Sequence, residues 1–177
     1  MAAKKTLYFL RHAKAEAGGP DREDHARNLA ARGQVDALLV GAHLVERGIA
    51  PERVLCSTAM RTAETLMKLE EAYHRTLPVK YVDKLYHATA NEILAQIAAT
   101  EESISRLMII GHNPGLHQLS IMLAKQGDEA LLDELAMKLP TATFVGLEFD
   151  SSWNSIKHAG GTLTHFITPK MLGGGES

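Results

Sequence analysis

The chain has 177 residues, an apolar fraction of 45% and a formal net charge of -2, enough apolar material for one core in one domain of ordinary size. Both signs of charge are interleaved, without the basic stripe that neutralises a nucleic-acid backbone, which excludes nucleic acid as an expected partner. Behind the basic pair Lys4-Lys5, the apolar run 7–10 is too short for a signal peptide's apolar segment or a membrane span, so the expectation is a cytoplasmic protein without membrane contact. The lone Cys56 has no partner for an internal disulfide, in agreement with a reducing compartment, and it reads as a small buried apolar residue on a strand.

Short β-rich runs alternate with longer segments of helical period. That pattern predicts a three-layer α/β/α sandwich with a mostly parallel central sheet. The first strand is expected at 6–10, and the clearest helix follows at 29–47, with Val35, Leu38, Leu39, Ala42 and Val45 as its apolar stripe and Gly48 as its stop. Further strands are expected at 53–56, 79–82, 106–110, 143–149 and 162–167, all rich in β-branched and apolar residues. Helices are expected after Thr58, Thr89, Pro114 and Asp128. The single domain spans 1–172, and the Gly-rich stretch 173–177 reads as a flexible tail.

In open α/β sheets ligands bind beyond the carboxyl ends of the strands. Three of these ends carry cationic or imidazole groups: Arg11-His12 after the first, Ser57 to Arg61 after the second, and Gly111-His112-Asn113-Pro114 after the fourth. Two of them open helices, whose free backbone N–H groups suit an anion. Asn113 reads as a cap with Pro114 in the first helical position, and Ser57 or Thr58 as the cap of the helix carrying Arg61. Arg61 in a first turn opposes the helix dipole, a broken local rule that a bound anion would repair. An arginine fork holds two phosphoryl oxygens at once, while a neutral imidazole attacks phosphorus. Together they point to an anion such as phosphate, although taken singly the Arg-His pair also reads as structural and Gly-His-Asn-Pro as a capped turn.

These residues resemble the histidine phosphatase superfamily, also called phosphoglycerate mutase-like, marked by an Arg-His-Gly motif at the end of the first strand. Here the motif is Arg11-His12-Ala13, a harmless change provided the backbone there has negative φ. Ser57-x-x-x-Arg61-Thr62-x-x-Thr65 is similar to the family's second arginine motif, and Gly111-His112-Asn113-Pro114-Gly115 to its second histidine motif. Leu85-Tyr86-His87-Ala88, Trp153 and Asp24-x-x-Arg27-x-Leu29-x-x-Arg32-Gly33 resemble the SixA-type phosphohistidine phosphatase branch. The resemblance implies that His12 is a nucleophile that becomes phosphorylated and is then hydrolysed. It implies that Arg11, Arg61 and His112 clamp the phosphoryl group, with Arg27 as a fifth member and Ser57 and Asn113 as substrate-binding residues. No cofactor or metal is implied, and the nine histidines show no metal-ligand spacing. His25, His43, His74, His158 and His165 read as surface or packing residues, while His87 and His117 remain open.

The superfamily's acid phosphatases carry an Asp after the second His, where this chain has Asn113, which has no proton to give. The mutase branch uses a Glu near the third strand; the nearest carboxylate here is Asp83, itself readable as a solvated strand-end charge. A site without a strong acid suits a leaving group that departs easily, such as the imidazole of phosphohistidine. The expected substrate is therefore a phosphohistidine protein domain reaching an open, shallow pocket, with the enzyme a monomer or weak dimer. Two alternatives stay open: a phosphatase for a small phosphorylated metabolite, and a phosphate- or phosphoprotein-binding module without turnover.

Overall fold

Every second residue of a strand faces the same side of its sheet, and in the computed structural model, which describes residues 4–175, both sides are covered. Strand β1 (Lys4–Arg11) sends Leu7 and Phe9 into one core and Tyr8 and Leu10 into the other. Strand β4 (Arg106–Gly111) divides Leu107 and Ile109 from Met108 and Ile110 in the same way. Near-continuous apolar runs of this kind belong to strands buried on both faces.

The remaining strands are β2 (Arg53–Ser57), β3 (Val79–Val82), β5 (Ala124–Gly127), β6 (Phe144–Asp150) and β7 (Gly161–Ile167). They form one seven-stranded sheet in the order β3-β2-β4-β1-β6-β7-β5. Only β6 runs against its neighbours; the other pairs are parallel. Helices α1 (Ala31–Glu46) and α2 (Met60–Tyr73) cover one face. The other is covered by α3 (Ala90–Ala98), α4 (Gly115–Leu123) and α5 (Glu129–Met137), with the short α6 (Ile156–Ala159) beside them. The expected three layers and mostly parallel sheet are present. Among the described residues, no helix is long and apolar enough to cross a membrane.

Several local expectations need correction. The buried residues of α1 are Gly33, Asp36, Ala37, Val40, Gly41 and Leu44, whereas Val35 and Val45 are exposed. The reason is close helix packing: a Cβ on Gly41 would lie 3.0 Å from Ala72 Cβ and 3.3 Å from Leu69 Cα, so the small residues mark the interface with α2. Strand β5 was not expected, because Ala-Lys-Gln-Gly has no apolar alternation and follows α4 without a breaker. Helix α4 begins at Gly115 with Pro114 in the cap position and no side-chain cap, since the Asn113 amide instead donates to the Leu139 carbonyl at 2.9 Å. Gly174 N–H donates to Pro169 O at 2.9 Å and Gly175 N–H to the Asp36 carboxylate at 3.1 Å, so the part of the expected tail that is described lies against α1. Residues 176–177 lie outside the described residues. Trp153 is fully buried, with its indole N–H on Ile104 O at 2.8 Å and the Lys5 ammonium over its ring.

Two close approaches bring loops onto helices near the carboxyl ends of the strands. A Cβ on Gly33 would lie 2.1 Å from the Lys14 carbonyl oxygen, and one on Gly115 would lie 2.1 Å from that of Ala88. Backbone cannot retreat as a flexible side chain can. Gly115→Ala is therefore expected to cost roughly 1–3 kcal/mol of stability, read as a lower urea midpoint. Gly19→Ala, whose Cβ meets nothing within 4 Å, is expected to stay within about 0.5 kcal/mol of wild type.

Candidate active site

The parallel register of β1 and β4 sets Arg11 opposite Gly111, and His12 N–H continues the ladder onto Gly111 O at 3.1 Å. The two histidines that follow these strand ends are thereby side by side, with ring centroids 5.2 Å apart. His12 Nδ1 lies 2.8 Å from Ala13 O. A carbonyl only accepts, so Nδ1 carries the proton and the neutral ring keeps its lone pair on Nε2. Ala13 has no positive φ, in keeping with the loss of the family's glycine there.

Burial pushes the His12 pKa down to about 4, assisted by the charges of Arg11, Arg61 and Arg27 and opposed by the Ala13 carbonyl. His112 is pushed down to about 3, again chiefly by burial, then by His12, Arg61 and His87 against Asp24. Both rings are therefore neutral at neutral pH.

Strand β2 pairs Cys56 with Ile110 of β4. The next residue, Ser57, is fully buried, and its Oγ lies 2.7 Å from His112 Nε2. Ser57 Oγ also accepts the Ala59 N–H at 3.4 Å, just ahead of α2. Thr62 Oγ1 shares its one proton between Ser57 O at 2.8 Å and Ala59 O at 2.7 Å. Thr65 Oγ1 donates to Arg61 O at 2.7 Å and accepts the Ala13 N–H at 3.0 Å. The Ser-Arg-Thr-Thr spacing thus ties the start of α2 both to His112 and to the residue after the nucleophile.

Arg61 is almost fully buried, and its opposite charge is internal. Its guanidinium donates to Asp24 O at 2.9 Å and to Asp24 Oδ2 at 3.1 Å. Arg27 grips the same carboxylate through Nε at 3.0 Å and Nη2 at 2.8 Å on Oδ1. Tyr86 donates its hydroxyl to Oδ2 at 2.5 Å, and His87 Nε2 lies 3.4 Å from that atom. The Tyr86 hydrogen bond, followed by Arg27 and Arg61, holds the Asp24 carboxyl far below the usual carboxylate range in spite of some desolvation. The segment bearing Asp24 is itself fixed by Glu64, which accepts from Asn28 Nδ2 at 2.6 Å and Leu29 N–H at 2.5 Å.

These groups surround a pocket of about 360 Å³. Its wall brings together Arg11, His12, Arg27, Arg61, His112 and Asn113 of the expected set, and adds the ionisable Lys14, Asp24 and His87. Ser57 stands behind His112 and is not part of the wall. Asp83 is exposed in the turn after β3 and does not line the pocket either. His117 donates to Leu135 O at 2.6 Å, which joins α4 to α5. His25 lies 3.0 Å from Thr58 Oγ1 and sets its ring edge-on to Tyr86. The sequence reading missed the centrality of Asp24, for which the only signal was its spacing of three from Arg27. Arg11 Nε, Arg61 Nε and His112 Nδ1 are buried without a partner in the protein, a deficit that the oxygens of a bound anion remedy.

No family model matches the chain. An uncharacterized Mycobacterium leprae protein is 32% identical over 167 residues, spanning 91% of this chain and all of that one. An uncharacterized chloroplastic protein of Arabidopsis thaliana is 30% identical over 159 residues, 84% of this chain and 69% of that one. Among solved structures, a protein assigned as the phosphohistidine phosphatase SixA from Nakamurella multipartitia superposes with a TM-score of 0.83 at 30% identity, covering 95% of this chain and 98% of that one. A protein histidine phosphatase SixA complexed with tungstate shares the fold, with a TM-score of 0.75 at 21% identity over 94% of this chain and 99% of that one. The chain belongs to the histidine phosphatase superfamily, in its SixA-type branch, and its solved neighbours are phosphatases.

NMR titration is expected to find the rings of His12 and His112 neutral down through the range where an ordinary imidazole, with a pKa of about 6.5, takes up its proton. Two ordinary midpoints would contradict the packing described. The linkage has a definite sign: the unfolded chain binds these protons first, so acidification through the window from about 6.5 down to the folded values destabilises the fold.

Proposed function

We propose that the protein hydrolyses phosphohistidine on another protein through a phosphorylated His12. The observation that carries this reading is the neutral, deeply set Nε2 of His12, beside three arginines, in a pocket whose carboxylate cannot act as an acid. Arg11, Arg27 and Arg61 supply the charge that a phosphoryl group's oxygens require. His112 Nε2 shares a hydrogen bond with Ser57 Oγ, and the His112 tautomer with its proton on Nδ1 offers a further donor for a phosphoryl oxygen.

The chemistry proceeds in two displacements. His12 Nε2 bonds to phosphorus as the bond to the leaving group breaks; water then bonds to phosphorus as the P–Nε2 bond breaks, and phosphate is released. Splitting the reaction lets a preorganised imidazole make the first attack. No positioned carboxylic acid serves the leaving group: among the described residues Asp24 is the carboxylate on the wall, and it stays ionised. That favours a leaving group such as imidazole over an alkoxide, which departs poorly without its proton. The tungstate held by a SixA protein, an oxyanion of phosphate's charge and shape, fits the same reading.

Phosphate release from a phosphohistidine protein and from a phosphoserine peptide provides the test. Wild type is expected to prefer the phosphohistidine protein by at least ~10²-fold, because an alkoxide without a carboxylic acid at hand departs far more slowly than an imidazole, and His12→Ala is expected to lose that activity. Comparable phosphoserine turnover would overturn the substrate assignment. Binding of both without release would make the protein a phosphate-recognition module instead.

A further inference from the structure

The two displacements leave a proton to be delivered to the leaving atom and another to be taken from water. Burial pushes the Cys56 thiol up to about 12, Asp24 is committed to Arg27, Arg61 and Tyr86, and Asp83 is off the wall. We infer that His87 is the proton-transfer residue of this site, with Asp24 as its counter-ion, an assignment that rests on the phosphatase reading above.

The different depths of His12 and His87 suit an in-line reaction. His12 is deep in the pocket, 8% exposed, while the His87 side chain is at the mouth, 65% exposed. His112 neighbours both, its ring centroid 5.2 Å from that of His12 and 6.3 Å from that of His87. A nucleophile attacking from the floor expels its leaving group toward the mouth, which is where His87 stands. His112 is then placed at the side, with the equatorial oxygens.

The His87 backbone is held in an unusual state from both sides. Its φ is +55°, a left-handed conformation that a non-glycine residue keeps only when its surroundings enforce it. Tyr86 N–H donates to Asp83 O at 3.0 Å and Ala88 N–H to Leu85 O at 3.4 Å. Beyond it, Ala88 O rests against Gly115 of α4, and Thr89 closes a capping box with Glu92. The ring is pinned between Tyr86, at 4.0 Å between centroids, and the Asp24 carboxylate, 3.4 Å from Nε2.

In the first displacement, imidazolium His87 passes a ring proton to the leaving atom as the bond from that atom to phosphorus breaks and Nε2 of His12 bonds to phosphorus. The leaving group departs neutral, and His87 is left neutral. In the second, His87 takes a proton from water as the water oxygen bonds to phosphorus and the P–Nε2 bond breaks, which restores the imidazolium.

Leaving-group dependence distinguishes proton transfer from a structural role. His87→Asn retains tolerance of the left-handed backbone, and its fold is checked by thermal unfolding. It is expected to lose on the order of 10²-fold in kcat/KM on phenyl phosphate, whose leaving group needs the proton, and less than about 5-fold on para-nitrophenyl phosphate, whose leaving group does not. Equal losses on both substrates would overturn the assignment, as would the same selective loss in Lys14→Gln but not in His87→Asn. If wild type releases phosphate from neither aryl ester nor from a phosphohistidine protein, the phosphatase reading itself fails and His87 has no role in it.

Discussion

The site depends on the pairing of β1 with β4. With Arg11 opposite Gly111 and Cys56 opposite Ile110, three strand ends stop at one level, and His12, Ser57 and His112 have no choice but to meet. A one-residue slip would turn every side chain of a strand to the other face. It would also move Leu7, Phe9, Leu107 and Ile109 from one core to the other. The apolar pattern that fixes the fold is therefore the same pattern that fixes the distance between the histidines.

A second constraint is electrostatic. Arg11, Arg27 and Arg61 crowd one small pocket, and burial together with Arg61 lowers the Arg11 pKa. Asp24 answers two of the three, Arg27 and Arg61, from a segment anchored to α2 by Glu64. The carboxylate holds the guanidinium groups in place before any substrate arrives, so less ordering is needed when a phosphoryl group binds. This internal anion also resolves the anomaly of an arginine in the first turn of α2: its charge faces Asp24 as well as the helix dipole. The same carboxylate lies 3.4 Å from His87 Nε2 at the mouth, so one side chain touches both the arginines and the proposed proton-transfer group.

Most of this was legible in the sequence, for physical reasons. Strands buried on both faces appear as continuous apolar runs, so β1, β4 and β6 were readable from composition. Residues at strand ends keep their place whatever the loops do, and Arg11, His12, Arg61 and His112 were found that way. Elements governed by packing were less legible. The buried face of α1 is written in Gly33, Ala37 and Gly41, residues that a search for large apolar side chains passes over. β5 has no apolar alternation at all. Ser57 and Asn113 carry the right chemistry in the right place, but Ser57 is turned to His112 and the Asn113 amide to Leu139, choices made by neighbours distant in sequence. Asp24 became visible only when the loop after β1 was folded onto α2, bringing residues 24, 61 and 86 together.

The central claim is that the phosphoryl group rests on His12 between two displacements. Its most direct test is the stereochemical course at phosphorus, followed with a substrate whose transferred group is made chiral by sulfur and oxygen isotopes and is released to labelled water. Two in-line steps each invert the centre, so the account predicts net retention of configuration. Net inversion would mean that water attacks the substrate directly, and would contradict the role assigned to His12.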